Sequence, residues 1–573
     1  MPTASLERLL DQLDELKRPA GARERVRFAS LLKQVARRRF ADAESLIRFH
    51  EILLYMCAYP QSAALLAETE KILKAFSRRV ERLRADGADV TPFENPEVSG
   101  IAGTSFDAMY GYDLVRWLAR AHSSRVRVVW DGYEERAHLN VVWPRFLPLF
   151  EEDAYVDAKA PFLEWLRAAK RRGESDLAWL VRQFEQLPVG EREKAELFDP
   201  LKLWVRWELG DSEAARTHTR RRVGRIFYHD APLLRRGDVS LARELDAPPM
   251  PVEKLSRPEG ERLLGMGRDT MAVRFRELHG FTYGDARRVW RADAGRGLEI
   301  FVWGVPPGRR LPLLGYHAGM FLKNGVPVGY HEALSLFERV EIGLNLFYTF
   351  RDGESAFAYA RLMRLYRQLL GVEVFSIDPY QLGGSGNDEG IASGAFWFYR
   401  KLGFRPVRDD VAKLVAAEER RIAARKDYRT PPRLLKILAS GHVVFETRGA
   451  SAMGEWDQFQ VRNIGLAVAK TMAERFGGDA RKLRAASVAK VRRALGAEGE
   501  KLNAAEESAF ENFALVLALV PSLARWSADE KRDAVRVIRA KAFGDELRYL
   551  RLLRRHARLR REIIALGTNS KTQ

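Results

Sequence analysis

The sequence predicts an α+β protein in which a mixed β-sheet lies between helical regions. A strong hairpin signal is Asn324-Gly325 between two apolar runs, because these two residues tolerate the positive φ angles of a type I′ turn. A third apolar run, a Gly-containing turn, a helical run and a short apolar run follow in that order. Helical periodicity also dominates both ends of the chain. We therefore expect an antiparallel meander that continues into a parallel β-α-β unit.

The elements of the sheet are predicted from local signals. Four apolar runs are typical of strands, and they are residues 298–303, 316–323, 326–334 and 340–350. Ser355 is expected to cap a helix that ends at Gly371, and residues 372–377 form the next strand. Because this crossover joins two strands of one sheet, it should be parallel and right-handed. A last helix is expected to run to Gly403.

The rest of the chain is predicted to be mostly helical, with two further strands at 125–130 and 442–446. A chain of 573 residues is too long for one core. A linker signal lies at 247–251, and Ser256 to Glu259 have the form of a capping box that begins a helix at about 257–276. Four regions are predicted: 1–95 (helical), 96–250 (mostly helical), 251–447 (the sheet) and 448–573 (helical).

The chain is strongly basic. Its 96 Lys and Arg residues against 77 Asp and Glu residues give a net charge of +19. This balance favours anionic partners such as CoA, nucleic acid, an acidic carrier protein or a membrane surface. Solvated helix faces rich in Arg would explain it equally well. The basic clusters at 170–172 and 220–222 lie in no recognisable nucleic-acid-binding motif.

The cysteine content and the apolar runs indicate in which cellular compartment the protein is expected. The single cysteine, Cys57, excludes an intramolecular disulfide and a cysteine-based zinc site. The amino terminus shows no basic start followed by an apolar run. The longest apolar run, 513–520, is far shorter than the roughly 20 residues that span a bilayer. We expect a soluble, cytoplasmic protein without a transmembrane segment.

Two motifs in the sheet region carry a resemblance to a known family. The first closes the last predicted helix, and its residues are Ala395, Phe398, Tyr399, Lys401, Gly403 and Phe404. They match the ending Ala-x-x-Phe-Tyr-x-Lys-x-Gly-Phe, and the stretch resembles the GNAT superfamily of acetyl-CoA-dependent N-acyltransferases. The second is the pyrophosphate loop, Arg/Gln-x-x-Gly-x-Gly/Ala in the family. Here Phe350 holds its first position, Gly353 the glycine and Ser355 the last.

The resemblance implies a transferase that takes acyl-CoA, with acetyl-CoA as the leading candidate, as its co-substrate. Its cofactor-binding residues would be those of the loop: Phe350, Arg351, Asp352, Gly353, Glu354, Ser355 and Ala356. Backbone N–H groups at the start of the helix after Gly353 are unpaired and partly positive, so a pyrophosphate is their natural ligand. Arg351 could contact a phosphate directly.

Acyl transfer to an amine needs a base for the amine and a proton for the departing thiolate. The resemblance nominates Tyr399 as the general acid; a packed tyrosine is the alternative. Glu332 is our first candidate for the base, and strand alternation places it on the opposite face from His331. Glu341 is the second candidate, because burial within an apolar strand would raise its pKa. Its alternative is a salt-paired surface residue.

Three functions therefore remain open at the level of the sequence. The first is a GNAT-like N-acyltransferase whose acceptor is an amine of a small molecule, peptide or protein. The second is a non-catalytic binding or scaffold protein that keeps the GNAT fold. The third is a basic protein associated with nucleic acid, which no motif supports. No metal site is predicted.

Overall fold

The computed structural model describes residues 5–18, 21–147, 162–447 and 453–568. The protein is α+β, with helices around a mixed sheet. The described strands are β1 (Ser105–Met109), β2 (Val126–Val129), β3 (Trp204–Glu208), β4 (Val252–Lys254), β5 (Val289–Gly295), β6 (Leu298–Trp303), β7 (Gly315–Lys323), β8 (Val326–Leu336), β9 (Arg339–Leu346), β10 (Val374–Ile377), β11 (Arg405–Pro406) and β12 (Val443–Glu446).

The helices of the amino-terminal half are α1 (Leu6–Leu16), α2 (Ala22–Ala36), α3 (Ala43–Ala58), α4 (Ala63–Lys74), α5 (Ser77–Ala85), α6 (Tyr112–Ala121), α7 (Arg136–Phe146), α8 (Phe162–Ala169), α9 (Asp176–Gln186), α10 (Glu191–Phe198), α11 (Leu241–Asp246), α12 (Arg257–Ala272) and α13 (His279–Thr282). Those of the carboxy-terminal half are α14 (Ser355–Leu370), α15 (Pro379–Leu382), α16 (Asp388–Ser393), α17 (Ala395–Lys401), α18 (Asp409–Ala424), α19 (Pro432–Leu438), α20 (Val461–Phe476), α21 (Ala480–Leu495), α22 (Ala504–Leu517), α23 (Ala528–Ala542), α24 (Glu546–Arg555) and α25 (Ala557–Thr568).

The central sheet has the strand order β11-β12-β10-β9-β8-β7-β6-β5-β4. Strands β4 to β9 form an antiparallel meander, and β10 lies parallel to β9 after the α14 crossover. Strand β12 returns antiparallel to β10. The predicted order, an antiparallel meander followed by a parallel β-α-β unit and a closing strand near 442–446, is confirmed.

Several local predictions for the sheet are also confirmed. Asn324 and Gly325 have φ angles of 49° and 80° at the β7–β8 turn, and Gly371 ends α14 with a φ of 67°. Ser256 and Glu259 form the predicted capping box of α12. The prediction that Ser355 caps the helix is wrong, because Glu354 is the cap position and Ser355 is the first helical residue. The Ser355 hydroxyl donates to the Arg351 carbonyl rather than accepting from an amide of the helix.

The region after β9 differs from the prediction in two places. Strand β9 ends at Leu346 because residues 348–350 form a 3-10 turn, so the run 340–350 is not one strand. The last predicted helix is divided into α16 and α17 at Gly394, whose φ is 66°. Helices α15, α16 and α17 follow β10 and lie beside the part of β9 that β10 does not pair with.

A second, smaller sheet lies in the region that was predicted to be mostly helical. Its strand order is β1-β3-β2, and the strand at 125–130 is confirmed as β2. Strand β3, which contains Trp204 and Trp207, was not predicted, and it alternates exposed and buried residues. Such alternation is the two-residue period of a strand. Strands β1, β4 and β5 were not predicted.

Two hydrophobic cores are present among the described residues. One combines side chains from residues 9–101 and 241–564, so the amino-terminal helices, the central sheet and the carboxy-terminal helices share it. The other is built from residues 102–215 together with Ala272 and Val273 at the end of α12. No described helix is both long enough and apolar enough to cross a lipid bilayer.

Candidate functional site

A cleft of about 680 Å³ opens where β9 and β10 separate. The two strands pair only from Arg339 to Glu341 on β9 and from Val374 to Ser376 on β10. Beyond this point β9 continues to Leu346 while β10 ends, and helices α15 to α17 take its place. The cleft is lined mainly by β8, β9 and these helices, and its residues include Arg276, Tyr330, Glu332, Gly343, Asn345, Gln381 and Tyr399.

The open edge of β9 presents main-chain groups to the cleft, and two side chains cap them. The Leu344 N–H donates to Oε1 of Gln381 at 3.3 Å. The Leu346 carbonyl accepts from Nε of Arg351 at 3.2 Å. A strand edge without a partner strand is a template for extended ligands, so a chain that carries amides could bind here by displacing the Gln381 and Arg351 side chains.

Glu332 lies on β8 and faces the cleft. The Tyr316 hydroxyl donates to its Oε1 and accepts from the Gly280 N–H at 2.9 Å. His331 lies on the other face, where it contacts the Phe301 carbonyl at 3.1 Å and the Tyr366 hydroxyl at 3.2 Å. Burial lowers the pKa of His331 to about 3. The prediction that these neighbours face opposite sides is confirmed, and Glu332 is the one in the cleft.

Tyr399 of α17 also lines the cleft. It is buried, and its ring contacts the rings of Tyr359 and Phe404 with centroids 5.4 and 5.7 Å apart. Burial raises the pKa of its hydroxyl above the usual value, so the group is protonated at neutral pH. The aromatic residues of the motif thus fix the ring, while the hydroxyl group makes no hydrogen bond to the described part of the chain.

Glu341 is not among the residues that line the cleft. Its Oε2 lies 2.9 Å from the Arg339 guanidinium and 3.2 Å from Nε2 of His442. Burial would raise the pKa of Glu341, but the hydrogen bond from His442 and the charge of Arg339 lower it below the usual value. The prediction of a raised pKa is therefore wrong, because the carboxylate is paired.

The first half of the loop between β9 and α14 is held by protein contacts. Phe350 is buried, and the Arg351 guanidinium pairs with Glu389 of α16 across the cleft. Asp352 is exposed and lies 3.3 Å from Nζ of Lys17. The Gly353 N–H donates to the Phe350 carbonyl at 3.0 Å, so this amide is not available to a ligand.

Glu354 takes part in a buried ion pair rather than in the cleft. Its carboxylate accepts from Lys323 at 2.9 Å and from Nε of Arg296 at 2.9 Å. Burial would raise the pKa of Glu354, but Lys323 and Arg296 outweigh it and lower the pKa to about 2. The Glu354 N–H donates to the Tyr59 hydroxyl at 3.3 Å. The main-chain amides of Gly353 and Glu354 and the carboxylate of Glu354, which were predicted to bind the cofactor, are therefore all hydrogen-bonded within the protein.

The amides of Ser355, Ala356 and Phe357, the first three residues of α14, have no hydrogen-bond partner in the described chain. Ser355 borders both the cleft and a second cavity of about 320 Å³. The lining of that cavity includes Ala356, one carboxylate, Asp352, and three arginines, Arg18, Arg235 and Arg236. Unpaired amides at a helix N-terminus beside several cations favour an anion.

Sequence reasoning missed three residues of the cleft and one residue, Tyr316, that holds Glu332 without lining the cleft. Tyr316 was treated only as part of a strand, although its hydroxyl holds Glu332. Gln381, in a loop that carried no motif, caps the open edge of β9. Arg276 and Asn345 line the cleft as well, and the side-chain oxygen of Asn345, Oδ1, is buried without a hydrogen bond to described residues. Strand alternation could have placed Asn345 on the face of Glu332, since it lies opposite Tyr330.

Comparison with known proteins gives no relative for this chain. No family model, no curated protein and no solved structure matches it.

Proposed function

We propose that the protein is a GNAT-like N-acyltransferase, which transfers an acyl group, in the first instance acetyl, from acyl-CoA to an amine. One observation carries the proposal. Parallel strands that pair over three positions and then separate leave a strand edge without a partner strand beside a cleft that contains both Glu332 and Tyr399. The Ala-x-x-Phe-Tyr-x-Lys-x-Gly-Phe ending from Ala395 to Phe404 supports it.

The proposed binding mode uses three parts of the site. The extended arm of the acyl-CoA adds to the edge of β9 between 342 and 346, where amides of the ligand meet main-chain groups. Its diphosphate lies at the amides of Ser355, Ala356 and Phe357. The cavity with Arg18, Arg235 and Arg236 takes the remaining phosphate.

The proposed chemistry is direct attack of the amine nitrogen on the thioester carbonyl carbon. A new C–N bond forms and the C–S bond breaks. Glu332, held by Tyr316, accepts the proton that the amine loses, and the Tyr399 hydroxyl gives a proton to the departing thiolate. A protonated Tyr399 is what this role needs, and its raised pKa is consistent with it.

The test of cofactor binding is calorimetric titration of acetyl-CoA into the full chain. We expect one site with a dissociation constant between about 1 μM and 1 mM, the usual range for enzyme substrates. Gly343→Leu should weaken binding at least tenfold, because a side chain at Gly343 would enter the cleft, where its Cβ has ordinary contacts of 3.6–3.9 Å with Gln381 and the Glu332 carbonyl oxygen. Gly224→Leu, at an exposed glycine with open space around it, is the matched control. No binding by the wild-type chain would reject the proposal.

The test of turnover is release of free CoA thiol in the presence of a panel of amines. Glu332→Gln should lower the rate by about 10²–10⁴ while acetyl-CoA affinity stays unchanged, since proton transfer by a positioned base contributes about this much. Glu253→Gln, an exposed glutamate on strand β4, should leave the rate unchanged. Equal rates in Glu332→Gln and wild type would remove Glu332 from the mechanism.

A second candidate function is a binding protein of the same fold without turnover. The contacts of Arg351 with Glu389 and of the Glu354 amide with Tyr59 favour it, because both occupy groups of the loop that the acyl-CoA would use. Absence of acetyl-CoA binding, or binding without thiol release for any amine, would support this candidate over the enzyme.

A further inference from the structure

A separate cluster of metal-ligating side chains lies at the point where β9 and β10 separate. It consists of Glu341 on β9, Asp378 directly after β10, and His442 directly before β12. The side chains are 21%, 48% and 34% exposed, so the cluster is open to solvent. Three segments that are distant in sequence therefore bring one imidazole and two carboxylates together.

The two carboxylates converge on the same nitrogen. Nε2 of His442 lies 3.2 Å from Oε2 of Glu341 and 3.6 Å from Oδ2 of Asp378. Ligand atoms that are each about 2.1 Å from one tetrahedral ion lie about 3.4 Å apart. A neutral imidazole carries at most one proton on Nε2, so it can donate to only one of two carboxylates. An ion between the three groups would satisfy all of them.

Both carboxylates are also oriented from outside the cluster. The second oxygen of Asp378, Oδ1, accepts from the Tyr380 N–H at 2.8 Å, which leaves Oδ2 for the cluster. For Glu341 the oxygen that faces His442, Oε2, itself also accepts from Arg339 at 2.9 Å and from the Ser376 hydroxyl at 3.4 Å. Outer partners of this kind fix the direction of metal ligands and are a usual part of metal sites.

We propose that Glu341, Asp378 and His442 form a binding site for a divalent transition-metal ion, with zinc as the representative. One imidazole and two carboxylates are a donor set that zinc accepts, and the exposed side leaves its fourth position to water. The bound ion ties β9, β10 and β12 together at the base of the cleft. This site is independent of acyl transfer and does not depend on the proposed function.

The experiment is titration of zinc chloride into the full chain after treatment with EDTA, followed by calorimetry. We expect one zinc ion per chain, with His442→Ala weakening binding at least 100-fold. Asp378→Asn should weaken it at least tenfold, because an asparagine keeps the helix cap of α15 but removes the anionic ligand. His138→Ala is the matched control, since His138 is an exposed histidine paired with one carboxylate.

A second readout uses cobalt as the probe. Cobalt added to the EDTA-treated chain should give visible absorption bands typical of nitrogen and oxygen ligands, and His442→Ala should lose them. Urea unfolding in EDTA should be the same for wild type and Asp378→Asn, which separates loss of the ion from loss of the fold. The proposal is overturned if the wild-type chain binds no zinc, or if His442→Ala and Asp378→Asn bind it as tightly as wild type.

Discussion

Tyr316 shows how a single hydroxyl can serve two groups at once. It accepts from the buried Gly280 N–H at 2.9 Å and donates to Glu332. Burial raises the pKa of Tyr316, and the neighbouring carboxylate raises it further, so the hydroxyl keeps its proton. The orientation of Glu332 therefore depends on a residue of the neighbouring strand.

Tyr316→Phe should lower the free energy of unfolding by about 1–3 kcal/mol, because it leaves a buried N–H without an acceptor. It should also reduce thiol release without changing acetyl-CoA affinity, since Glu332 loses the group that orients it. Urea unfolding and the two assays above measure these effects. Tyr380→Phe changes a tyrosine of the cleft that is 53% exposed and should leave stability unchanged. Equal stability of Tyr316→Phe and wild type would contradict the assigned role.

Loss of one partner of the buried ion pair between Glu354 and Lys323 should destabilise the protein more than the loss of the Tyr316 hydroxyl. Both side chains are 2% exposed, and burial lowers the pKa of Lys323 to about 8 although Glu354 opposes this shift. Glu354→Gln should lower the free energy of unfolding by about 3–5 kcal/mol, because it leaves the lysine charge buried without its partner. Urea unfolding at neutral pH measures the change.

The lowered pKa of Glu354 also implies that the stability of the folded chain depends on pH. Its pKa is about 2 in the folded chain and near 4.3 in an unfolded chain, so the folded state binds fewer protons between these values. The contribution of this carboxylate is complete above the unfolded pKa and is lost as the pH falls towards 2. Stability of Glu354→Gln should therefore fall less steeply over this window than that of wild type. Glu196→Gln, in an exposed pair with Arg192, should behave as wild type.

At the scale of the element, the β7–β8 hairpin is both a turn and a contact surface. The Asn324 side chain donates to the Ala58 carbonyl at 2.9 Å and accepts from the Phe227 N–H at 2.8 Å. A Cβ on Gly325 would lie 2.1 Å from the Arg221 carbonyl oxygen. The turn is therefore packed directly against the segment that follows the second core.

Gly325→Ala should be more destabilising than the same change at Gly295. The two glycines have nearly equal φ angles, 80° and 79°, but a Cβ on Gly295 meets nothing within 4 Å. Gly295→Ala should cost roughly 1 kcal/mol from the backbone conformation alone. Gly325→Ala should cost a further 1–3 kcal/mol, the usual range for overpacking. Equal losses for the two variants in urea unfolding would show that the hairpin can move away from Arg221.

Elements were predictable where the signal is local, and contacts between elements were not. The Asn324-Gly325 turn and the stop at Gly371 each depend on a backbone angle that few residues adopt. Strand β3 was missed because its two tryptophans suit a helix core as well as a strand face. In the site, strand alternation predicted that Glu332 lies on the face opposite His331, and the motif from Ala395 to Phe404 identified Tyr399 as a candidate. The contact between Gln381 and Leu344 joins two distant segments, and no periodicity reports such a pairing.

At the scale of the whole molecule, the two hydrophobic cores are joined by buried polar contacts. Arg216, whose side chain is 1% exposed, pairs with Glu51 of α3. It also donates to the Val98 carbonyl at 2.9 Å. Burial would raise the pKa of Glu51, but Arg216, His50 and Thr349 together outweigh burial and lower the pKa to about 2. The Glu51 carboxylate accepts from Thr349 as well, so one carboxylate connects the second core, the amino-terminal helices and the loop after β9.

Arg216→Ala should therefore lower the free energy of unfolding and weaken the coupling between the two cores. Removing the guanidinium leaves Glu51 as a buried charge without its main partner, which costs about 3–5 kcal/mol. Because the contact joins the two cores, the residues of the second core should unfold at lower temperature than the central sheet, and calorimetry should resolve two transitions where wild type shows one. Arg206→Ala removes a half-exposed ion pair with Asp107 inside the small sheet. This control should cost no more than about 1 kcal/mol and keep a single transition. A single transition in Arg216→Ala with an unchanged midpoint would mean that apolar contacts alone couple the two cores.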